Sequence, residues 1–270
     1  MKKVFGLLSV IFIAAMISGC GAGDAETSTL SEDSLKVGVT AGPHEEIMEV
    51  VKEVAAEDGL DIQIEVISDY ITPNTALAEG DLDANSYQHK PFLDQMVEDR
   101  DLDLVEVAKT VNFPMGIYSE KISDISELKE GDKVGLPNDP TNGARALMLF
   151  EQAGLITLPE EVGANASVKD IKENKRGLEF VELEAAQIPR QLGELAAAAI
   201  NTNYAMEAGY VPTEDAIVIE PKDSPWVNLI AVRSENQDDP VIEKFINAYH
   251  SDKVKQFVEE EFAGSVVVSW

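Results

Sequence analysis

The chain has few of the side chains that build disulfides and metal sites. Among its 270 residues it holds one cysteine, Cys20, and three histidines, His44, His89 and His250. One cysteine excludes an intrachain disulfide and a metal site made of several thiolates from the same chain. Three histidines far apart in the sequence argue against a cluster of imidazole ligands. We therefore expect no metal and no cofactor.

Basic residues are also scarce, with 21 lysines and arginines against 50 aspartates and glutamates and a formal net charge of −29. A surface of this sign repels phosphate backbones, so we expect no nucleic-acid partner. No run of eighteen apolar residues follows Cys20, which argues against a membrane-spanning helix in the body of the chain. An apolar content of 44% allows a large core or a division into two lobes.

Catalytic and cofactor motifs are missing. The sequence has no P-loop, no dinucleotide-binding fingerprint, no zinc signature and no Gly-x-Ser-x-Gly. Its 50 acidic residues offer many carboxylate pairs, but no spacing singles one out. We therefore expect a protein that is not an enzyme, and we keep a secreted enzyme acting on small molecules as the alternative.

Residues 1–19 are typical of a signal peptide, with two lysines at the start, an apolar segment and small residues before Cys20. The tetrad Ile17-Ser18-Gly19-Cys20 resembles a bacterial lipobox, which implies cleavage before Cys20 and a diacylglycerol on its sulfur. The alternative is an ordinary signal peptide with a chance cysteine. Residues 20–33 are small, polar and acidic, so we interpret them as a lipid-anchored linker. We expect a cell-membrane protein on the extracytoplasmic face.

The body of the chain alternates strand and helix patterns. Leu35–Thr40 and Asp61–Ile67 alternate as strands on either side of a helical pattern, which is the unit of a parallel sheet. A second series opens with the strand Lys133–Pro137. The stretches around Phe113 and Trp226 look like crossings between the two series. We therefore predict an α/β protein with two lobes, residues 34–112 plus 228–270 and residues 113–227.

Aromatic residues collect where strands of the first series end. Tyr87, His89 and Phe92 lie within six residues, and Tyr70 follows another strand. We predict a strand to about Ser86, a bend, and a helix that begins at the following proline. Small ligands bind at the carboxyl ends of strands in open α/β sheets, so these rings are candidate ligand contacts. The alternative is two core aromatics and a surface histidine.

Polar candidates follow strands of the second series. Asp139 is a good helix N-cap, and Arg145 lies in the second turn of that helix, near its positive end. An anion there would meet the guanidinium and free backbone N–H groups, although a solvated arginine is the alternative. Asn201 follows the small-residue strand Leu195–Ile200. His44 follows the first strand, and for it we favour a role in opening the helix over one in facing a ligand.

Four blocks, taken together, resemble one family, the methionine-binding lipoproteins (MetQ/NlpA type) that serve ABC importers. They are Tyr87-Gln88-His89-Lys90-Pro91-Phe92-Leu93, Pro137-Asn138-Asp139-Pro140-Thr141-Asn142 with Arg145, Ile200-Asn201-Thr202-Asn203-Tyr204-Ala205, and Ser224-Pro225-Trp226-Val227-Asn228. The resemblance extends from Cys20 to Trp270. It implies a type II periplasmic-binding-protein fold, in which two α/β lobes are joined by two crossing segments with a ligand cleft between them.

The resemblance also implies roles for residues. Arg145 corresponds to the residue that grips the ligand's α-carboxylate, for which a guanidinium fork is well matched. The other implied contacts are the ring residues Tyr70, Tyr87, His89 and Phe92 and the amides Asn142, Asn201 and Asn228. Trp226 stands where a tyrosine is usual, which is expected to alter the cleft rim. Residues 192–196 look shorter than usual, which loosens the alignment at Asn201.

The function implied is capture of L-methionine and its delivery to an ABC permease and its ATPase. The protein is expected to be a monomer, held at the membrane by the lipid on Cys20. The alternative ligands are a Gly-Met dipeptide, D-methionine and another apolar amino acid. A surface adhesin that keeps the fold without transport is the remaining alternative.

Overall fold

The computed structural model describes residues 30–270. Cys20, the signal peptide and all but the end of the linker therefore lie outside the described residues. The first stretch of the chain forms β1 (Ser34–Thr40), α1 (Pro43–Glu57), β2 (Asp61–Ile67), α2 (Thr72–Glu79), β3 (Ala84–His89), α3 (Lys90–Arg100) and β4 (Leu104–Asn112).

The middle stretch forms β5 (Gly116–Tyr118), β6 (Lys133–Pro137), α4 (Pro140–Gln152), β7 (Ile156–Thr157), β8 (Glu173–Asn174), β9 (Glu179–Leu183), α5 (Ile188–Gln191), β10 (Ala197–Ile200), α6 (Thr202–Glu207), α7 (Pro212–Asp215) and β11 (Val218–Ile219). The last stretch forms β12 (Val227–Arg233), α8 (Pro240–Tyr249), α9 (Asp252–Glu261) and β13 (Val267–Val268). Short 3₁₀ turns lie at Ile125–Glu127, Gly163–Asn165, Val168–Asp170, Ala185–Gln187, Leu192–Glu194 and Ser234–Asn236.

Two mixed sheets organise the chain. The first has the strand order β13-β4-β12-β3-β1-β2, with β1 parallel to β2 and β3, and β12 antiparallel to its neighbours. The second has the order β11-β5-β10-β6-β9, with β6 parallel to β9 and β10. We call the unit on the first sheet lobe 1 and the unit on the second lobe 2. This is the predicted arrangement of two α/β lobes.

Each sheet is covered by helices because its strands bury apolar residues. In lobe 1, α1, α8 and α9 pack together over the sheet, with Ile47, Phe245 and Val258 in a common core. In lobe 2, the small residues of β10 face two clusters. Ala197 and Ala199 pack with α4, while Ala198 and Ile200 pack with the residues of α5. A strand of alanines lets helices approach both faces, as its sequence predicts.

The chain crosses between the lobes twice, through residues 113–115 and 220–226. Asn112, at the end of β4, ties the two crossings together. Its Nδ2 donates to the backbone oxygens of Ser224 (3.0 Å) and Lys222 (3.2 Å) and lies 3.0 Å from Ser224 Oγ. Asn112 therefore holds the second crossing against the end of β4, directly before the first crossing.

The boundary predicted between β3 and α3 is wrong. The strand expected to stop near Ser86 continues through His89, and α3 begins at Lys90. The reason is a tertiary partner, because β12 pairs antiparallel with β3 and sets Asn228 opposite His89. The predicted bend is therefore replaced by ladder pairing. His89 is the N-cap of α3, and its side chain accepts a hydrogen bond from the Phe92 N–H.

Candidate functional site

A cavity lies between the two lobes, where strand ends of both sheets face each other. The empty volume of the cavity, including its opening to solvent, is about 350 Å³. The side chains around it come from both lobes and from the first crossing. They are His44, Tyr70, Tyr87, Gln88, His89, Phe92, Phe113, Asn142, Arg145, Asn201, Thr202, Asn203 and Asn228. The structure thus brings all eight predicted site residues together, and their contact with a ligand stays a prediction.

One wall of the cavity is aromatic. Tyr70 lies in the segment between β2 and α2, Tyr87 on β3 and Phe92 in the first turn of α3. The ring centroids of Tyr70 are 5.9 Å from those of Tyr87 and Phe92, and Tyr87 and Phe92 are 6.3 Å apart. Tyr87 and Phe92 meet edge to face, an arrangement favoured by the ring quadrupoles. This wall offers an apolar surface to a ligand side chain.

The tyrosine hydroxyls hold that wall in place. Tyr87 Oη donates to the Tyr70 backbone oxygen (2.7 Å), and Tyr70 Oη donates to Asn203 Oδ1 (2.6 Å) in lobe 2. Burial raises the pKa of both tyrosines well above the usual range, so both hydroxyls keep their protons. Asn228 Nδ2 donates to the Tyr87 backbone oxygen (3.2 Å). Asn228 is therefore fixed from the side of β12.

His89 joins the aromatic wall to a polar one. Its Nδ1 accepts from the Phe92 N–H (3.2 Å), so the ring proton lies on Nε2, 3.1 Å from Asn142 Oδ1. Burial, and then the charge of Arg145, lower the pKa of His89 to about 3. The ring is therefore neutral near pH 7 and donates to Asn142 across the cleft between the lobes.

Asn142 is the centre of the polar wall. Its Oδ1 also accepts from Asn201 Nδ2 (2.8 Å), and its Nδ2 donates to Asp139 Oδ1 (2.9 Å). Asp139 caps α4 by accepting from the Asn142 N–H (2.9 Å), as its sequence position predicts. With both ends of its amide engaged, Asn142 has one orientation. That orientation in turn fixes the amide of Asn201.

Asn201 Oδ1 is buried and has no hydrogen-bond partner within residues 30–270. A buried acceptor without a donor is uncommon because it forfeits the hydrogen bonds that water gave it. This oxygen belongs to a residue that lines the cavity. It therefore marks a position where a ligand N–H would be stabilised.

Among residues 30–270, Arg145, on α4, is the one cationic side chain on the cavity wall. Its Nε donates to Glu220 Oε1 (2.9 Å), and its Nη2 donates to Glu220 Oε2 (2.6 Å) and to the Phe113 backbone oxygen (2.6 Å). Glu220 therefore holds the Nε–Nη2 edge of the guanidinium, and the expectation that Arg145 grips the ligand's α-carboxylate stays a prediction. Nη1 is the nitrogen that these contacts leave for a ligand.

Trp226 packs behind two cavity residues. Its ring centroid is 5.4 Å from the Arg145 guanidinium carbon and 5.1 Å from the His89 ring, and the side chain is 5% exposed. Trp226 was expected to alter the rim of the cleft. It instead lies buried behind the cavity wall, in contact with Arg145 and His89. A flat indole beside a guanidinium is favourable because the ring face is electron-rich.

Five cavity residues were not among the predicted contacts. His44 does lie in the first turn of α1, as favoured, but it also lines the cavity, with its ring 4.4 Å from that of Phe113. Burial lowers its pKa to about 3. Thr202 and Asn203 follow Asn201 directly, so the strand-end signal that found Asn201 could have found them too. No sequence pattern marked Phe113 or Gln88 as a ligand contact.

The described residues contain no group of three or more acidic, histidine or cysteine side chains able to hold a metal ion. Within the same part of the chain, no helix is long and apolar enough to cross a membrane.

Comparison with known proteins identifies close similarities. The model of the NlpA lipoprotein family matches residues 35–270. A protein named D-methionine-binding lipoprotein MetQ, from Salmonella typhimurium, is 43% identical over 271 residues, which cover 99% of this chain and 98% of that protein. Outer membrane lipoprotein 3 from Mannheimia haemolytica is 44% identical over 239 residues, covering 88% of this chain and 91% of that protein.

Solved structures agree with the sequence comparison. A nutrient-binding protein from Burkholderia cenocepacia bound to methionine superimposes with a TM-score of 0.86 at 46% identity, covering 87% of this chain and all of that one. The methionine-binding protein MetQ superimposes with a TM-score of 0.87 at 44% identity, covering 89% of this chain and 99% of that one. Both likenesses cover the two lobes described above.

Proposed function

The chain belongs to the NlpA lipoprotein family, and we propose that it is the substrate-binding lipoprotein of an ABC importer for methionine. Relatives are named for methionine binding, and one solved relative holds methionine. The names describe binding proteins, which agrees with the lack of catalytic motifs in this sequence. The site explains how this chain would hold the same ligand.

The observation that carries the proposal is the pairing of polar groups on the cavity wall. Arg145 supplies a donor for a carboxylate, and Asn201 Oδ1 supplies a buried acceptor that has no donor within residues 30–270. A free amino acid brings one group for each, a carboxylate and an ammonium. Each charge-assisted hydrogen bond contributes roughly 1.5–3 kcal/mol.

The aromatic wall matches the methionine side chain. Tyr70, Tyr87 and Phe92 line one side of the cavity, and sulfur–ring contacts contribute about 0.3–1.5 kcal/mol each. Burial of the side-chain carbons adds about 0.8 kcal/mol per CH₂. With the polar contacts, a binding free energy on the order of −8 to −12 kcal/mol follows, which corresponds to micromolar to nanomolar dissociation constants.

The ligand we propose is L-methionine, although several relatives are named for D-methionine. The test is calorimetry on the full chain in detergent, unfolded and refolded to remove any carried ligand, and titrated with L-methionine, D-methionine, Gly-Met and leucine. We expect the tightest 1:1 binding with L-methionine. Tighter binding of D-methionine or Gly-Met would overturn the specificity and keep the transport role, whereas no heat with any of the four would overturn the function.

The partners we propose are an ABC permease with its ATPase, and the membrane through a lipid on Cys20. The protein acts as a monomer in this proposal. Its two lobes close over methionine by bending at the crossings, and the closed form docks on the permease. Support comes from the hydrogen bonds that join the lobes, Tyr70 to Asn203 (2.6 Å) and His89 to Asn142 (3.1 Å).

A further inference from the structure

Glu220 is a buried acid, and none of the contacts proposed above for methionine involves it. It follows β11 at the start of the second crossing and is 7% exposed. Its Oε1 accepts a hydrogen bond from Arg145 Nε (2.9 Å), and its Oε2 accepts one from Arg145 Nη2 (2.6 Å). Such a two-point pair is directional, so it fixes the plane of the guanidinium as well as its position.

The carboxylate of Glu220 is itself held by both crossings. The Met115 N–H donates to Oε2 (2.9 Å) from the first crossing, and Ser224 Oγ lies 3.4 Å from the same oxygen in the second. Arg145 Nη2 also donates to the Phe113 backbone oxygen (2.6 Å). Arg145 therefore has little freedom to turn, and Nη1 is the one nitrogen left to the cavity by these contacts.

This pairing changes the charge that a ligand meets. Arg145 is the one cation on the cavity wall, and Glu220 cancels it before any ligand enters. A zwitterion adds no net charge to the buried site. A ligand with a carboxylate and no ammonium adds one uncompensated negative charge, which is unfavourable where water is excluded.

We propose that Glu220 is the positioning and specificity-determining residue of the site. It holds Arg145 so that Nη1 meets the ligand carboxylate, and it makes the site select zwitterions over anions. The inference rests on the proposed function, because it takes an amino acid as the ligand.

The test compares Glu220→Gln with the wild-type full chain in two titrations. One ligand is L-methionine, and the other is desamino-methionine, which keeps the carboxylate and the thioether and lacks the ammonium. The wild type should prefer methionine strongly. In Glu220→Gln the ratio of the two dissociation constants should shrink by about tenfold or more, because Arg145 regains its net positive charge.

The matched control is Glu214→Gln, which removes the same charge from an exposed position on α7. It should leave the ratio at the wild-type value. If Glu220 were only structural, Glu220→Gln would weaken both ligands by the same factor, and an unchanged ratio would overturn the inference. Failure of the wild type to bind methionine would instead overturn the proposed function.

A measurement on the wild type covers the case in which Glu220→Gln does not fold, as judged by a missing cooperative melting transition. A crystal structure with methionine should show the ligand carboxylate on Arg145 Nη1, with Nε and Nη2 still on Glu220. A ligand carboxylate that displaces Glu220 from the Nε–Nη2 edge would contradict the inference.

Discussion

At the scale of single residues, the cavity is shaped by what each polar atom already touches. The amide of Asn142 is engaged at both ends, and its Oδ1 receives protons from His89 and Asn201. Asn201 therefore uses its nitrogen on the protein and leaves its oxygen unpaired within residues 30–270. Because this oxygen is free to accept a hydrogen bond from a ligand, Asn201 is a candidate for binding an ammonium.

Replacing Asn201 with leucine should separate binding from stability. The unpaired oxygen disappears, so the melting temperature of the ligand-free protein should not fall by more than about 3 °C, despite the lost bond to Asn142. The dissociation constant for methionine should rise about tenfold or more, because the ammonium loses its acceptor. Calorimetry and thermal melting give the two values. Unchanged affinity would remove Asn201 from the site.

His44 makes the stability of the protein depend on pH. Its pKa is near 6.5 in the unfolded chain and about 3 in the folded one, because burial disfavours the charged ring. The folded state then binds fewer protons between these values, so stability is full above about pH 6.5 and falls as the pH drops towards 3. Between pH 7 and pH 5 one such histidine should account for about 2 kcal/mol of lost stability.

Urea unfolding of the wild type and of His44→Gln at both pH values measures this contribution. The variant should lose about 2 kcal/mol less than the wild type on acidification. Equal losses in the two proteins would show that the His44 ring does not titrate differently in the folded state.

Residue identity was the most predictable part of the candidate site. Arg145, His89 and Asn201 were singled out because they follow strands or open helices, where ligands bind. Glu220 was missed because a carboxylate that pairs with an arginine 75 positions away leaves no local pattern. With 50 acidic residues in the chain, composition gave no reason to choose it.

At the scale of elements, helix α4 connects stability to the site. Asp139 accepts from the Asn142 N–H, as an N-cap does, and also from Asn142 Nδ2. The same carboxylate therefore starts the helix and orients a cavity amide. Helix α8 starts in a similar way, with Asp239 accepting from the Val241 N–H before a first-turn proline, but Val241 does not line the cavity.

Alanine at the two caps should have different effects on binding. Asp139→Ala and Asp239→Ala should each lower the free energy of unfolding by about 0.5–2 kcal/mol, because each helix loses a cap. Only Asp139→Ala should also weaken methionine binding, because Asn142 loses its orientation. Denaturant unfolding and calorimetry on both variants provide the comparison. Equal binding by the two variants would contradict the role given to Asp139.

Elements with strong local signals were predicted well. Strands Asp61–Ile67 and Lys133–Pro137 were predicted at their observed bounds, and α4 begins after Asp139, as its N-cap position indicates. Strand β3 was predicted too short because its last residues are extended by pairing with β12, which lies about 140 residues later. Local propensity holds no information about a partner that distant.

At the scale of the whole molecule, the lobes meet through polar contacts that a ligand can support. Tyr70 in lobe 1 bonds to Asn203, and Tyr204 Oη donates to the Ser68 backbone oxygen (3.2 Å). Each hydrogen bond of this kind contributes about 0.5–1.5 kcal/mol, so the two together stabilise the contact between the lobes only modestly. Ligand binding can shift an equilibrium between open and closed lobes by its preference for one state.

Small-angle scattering should detect this shift. The refolded protein should have a larger radius of gyration without methionine than with it, because the lobes close over the ligand. Tyr70→Phe, which lacks the hydroxyl that reaches Asn203, should need more methionine to reach the compact profile. Scattering profiles that superimpose with and without methionine would contradict hinge closure.

The two-lobe fold was predictable from strand and helix order together with the family resemblance. The contact between the lobes was not, since it depends on pairs such as Tyr70 and Asn203 that are 133 positions apart. Sequence order shows that both residues follow strands. The relative placement of two lobes is what brings them into contact.

The most direct test of the account is a methionine titration of the refolded full chain beside its Arg145→Ala variant. We predict tight 1:1 binding to the wild type and a loss of about tenfold to a hundredfold or more in the variant, because the carboxylate loses a charge-assisted donor. Thermal melting confirms that the variant is folded. Equal methionine affinity in a folded variant would contradict the claim that Arg145 anchors methionine in this cavity.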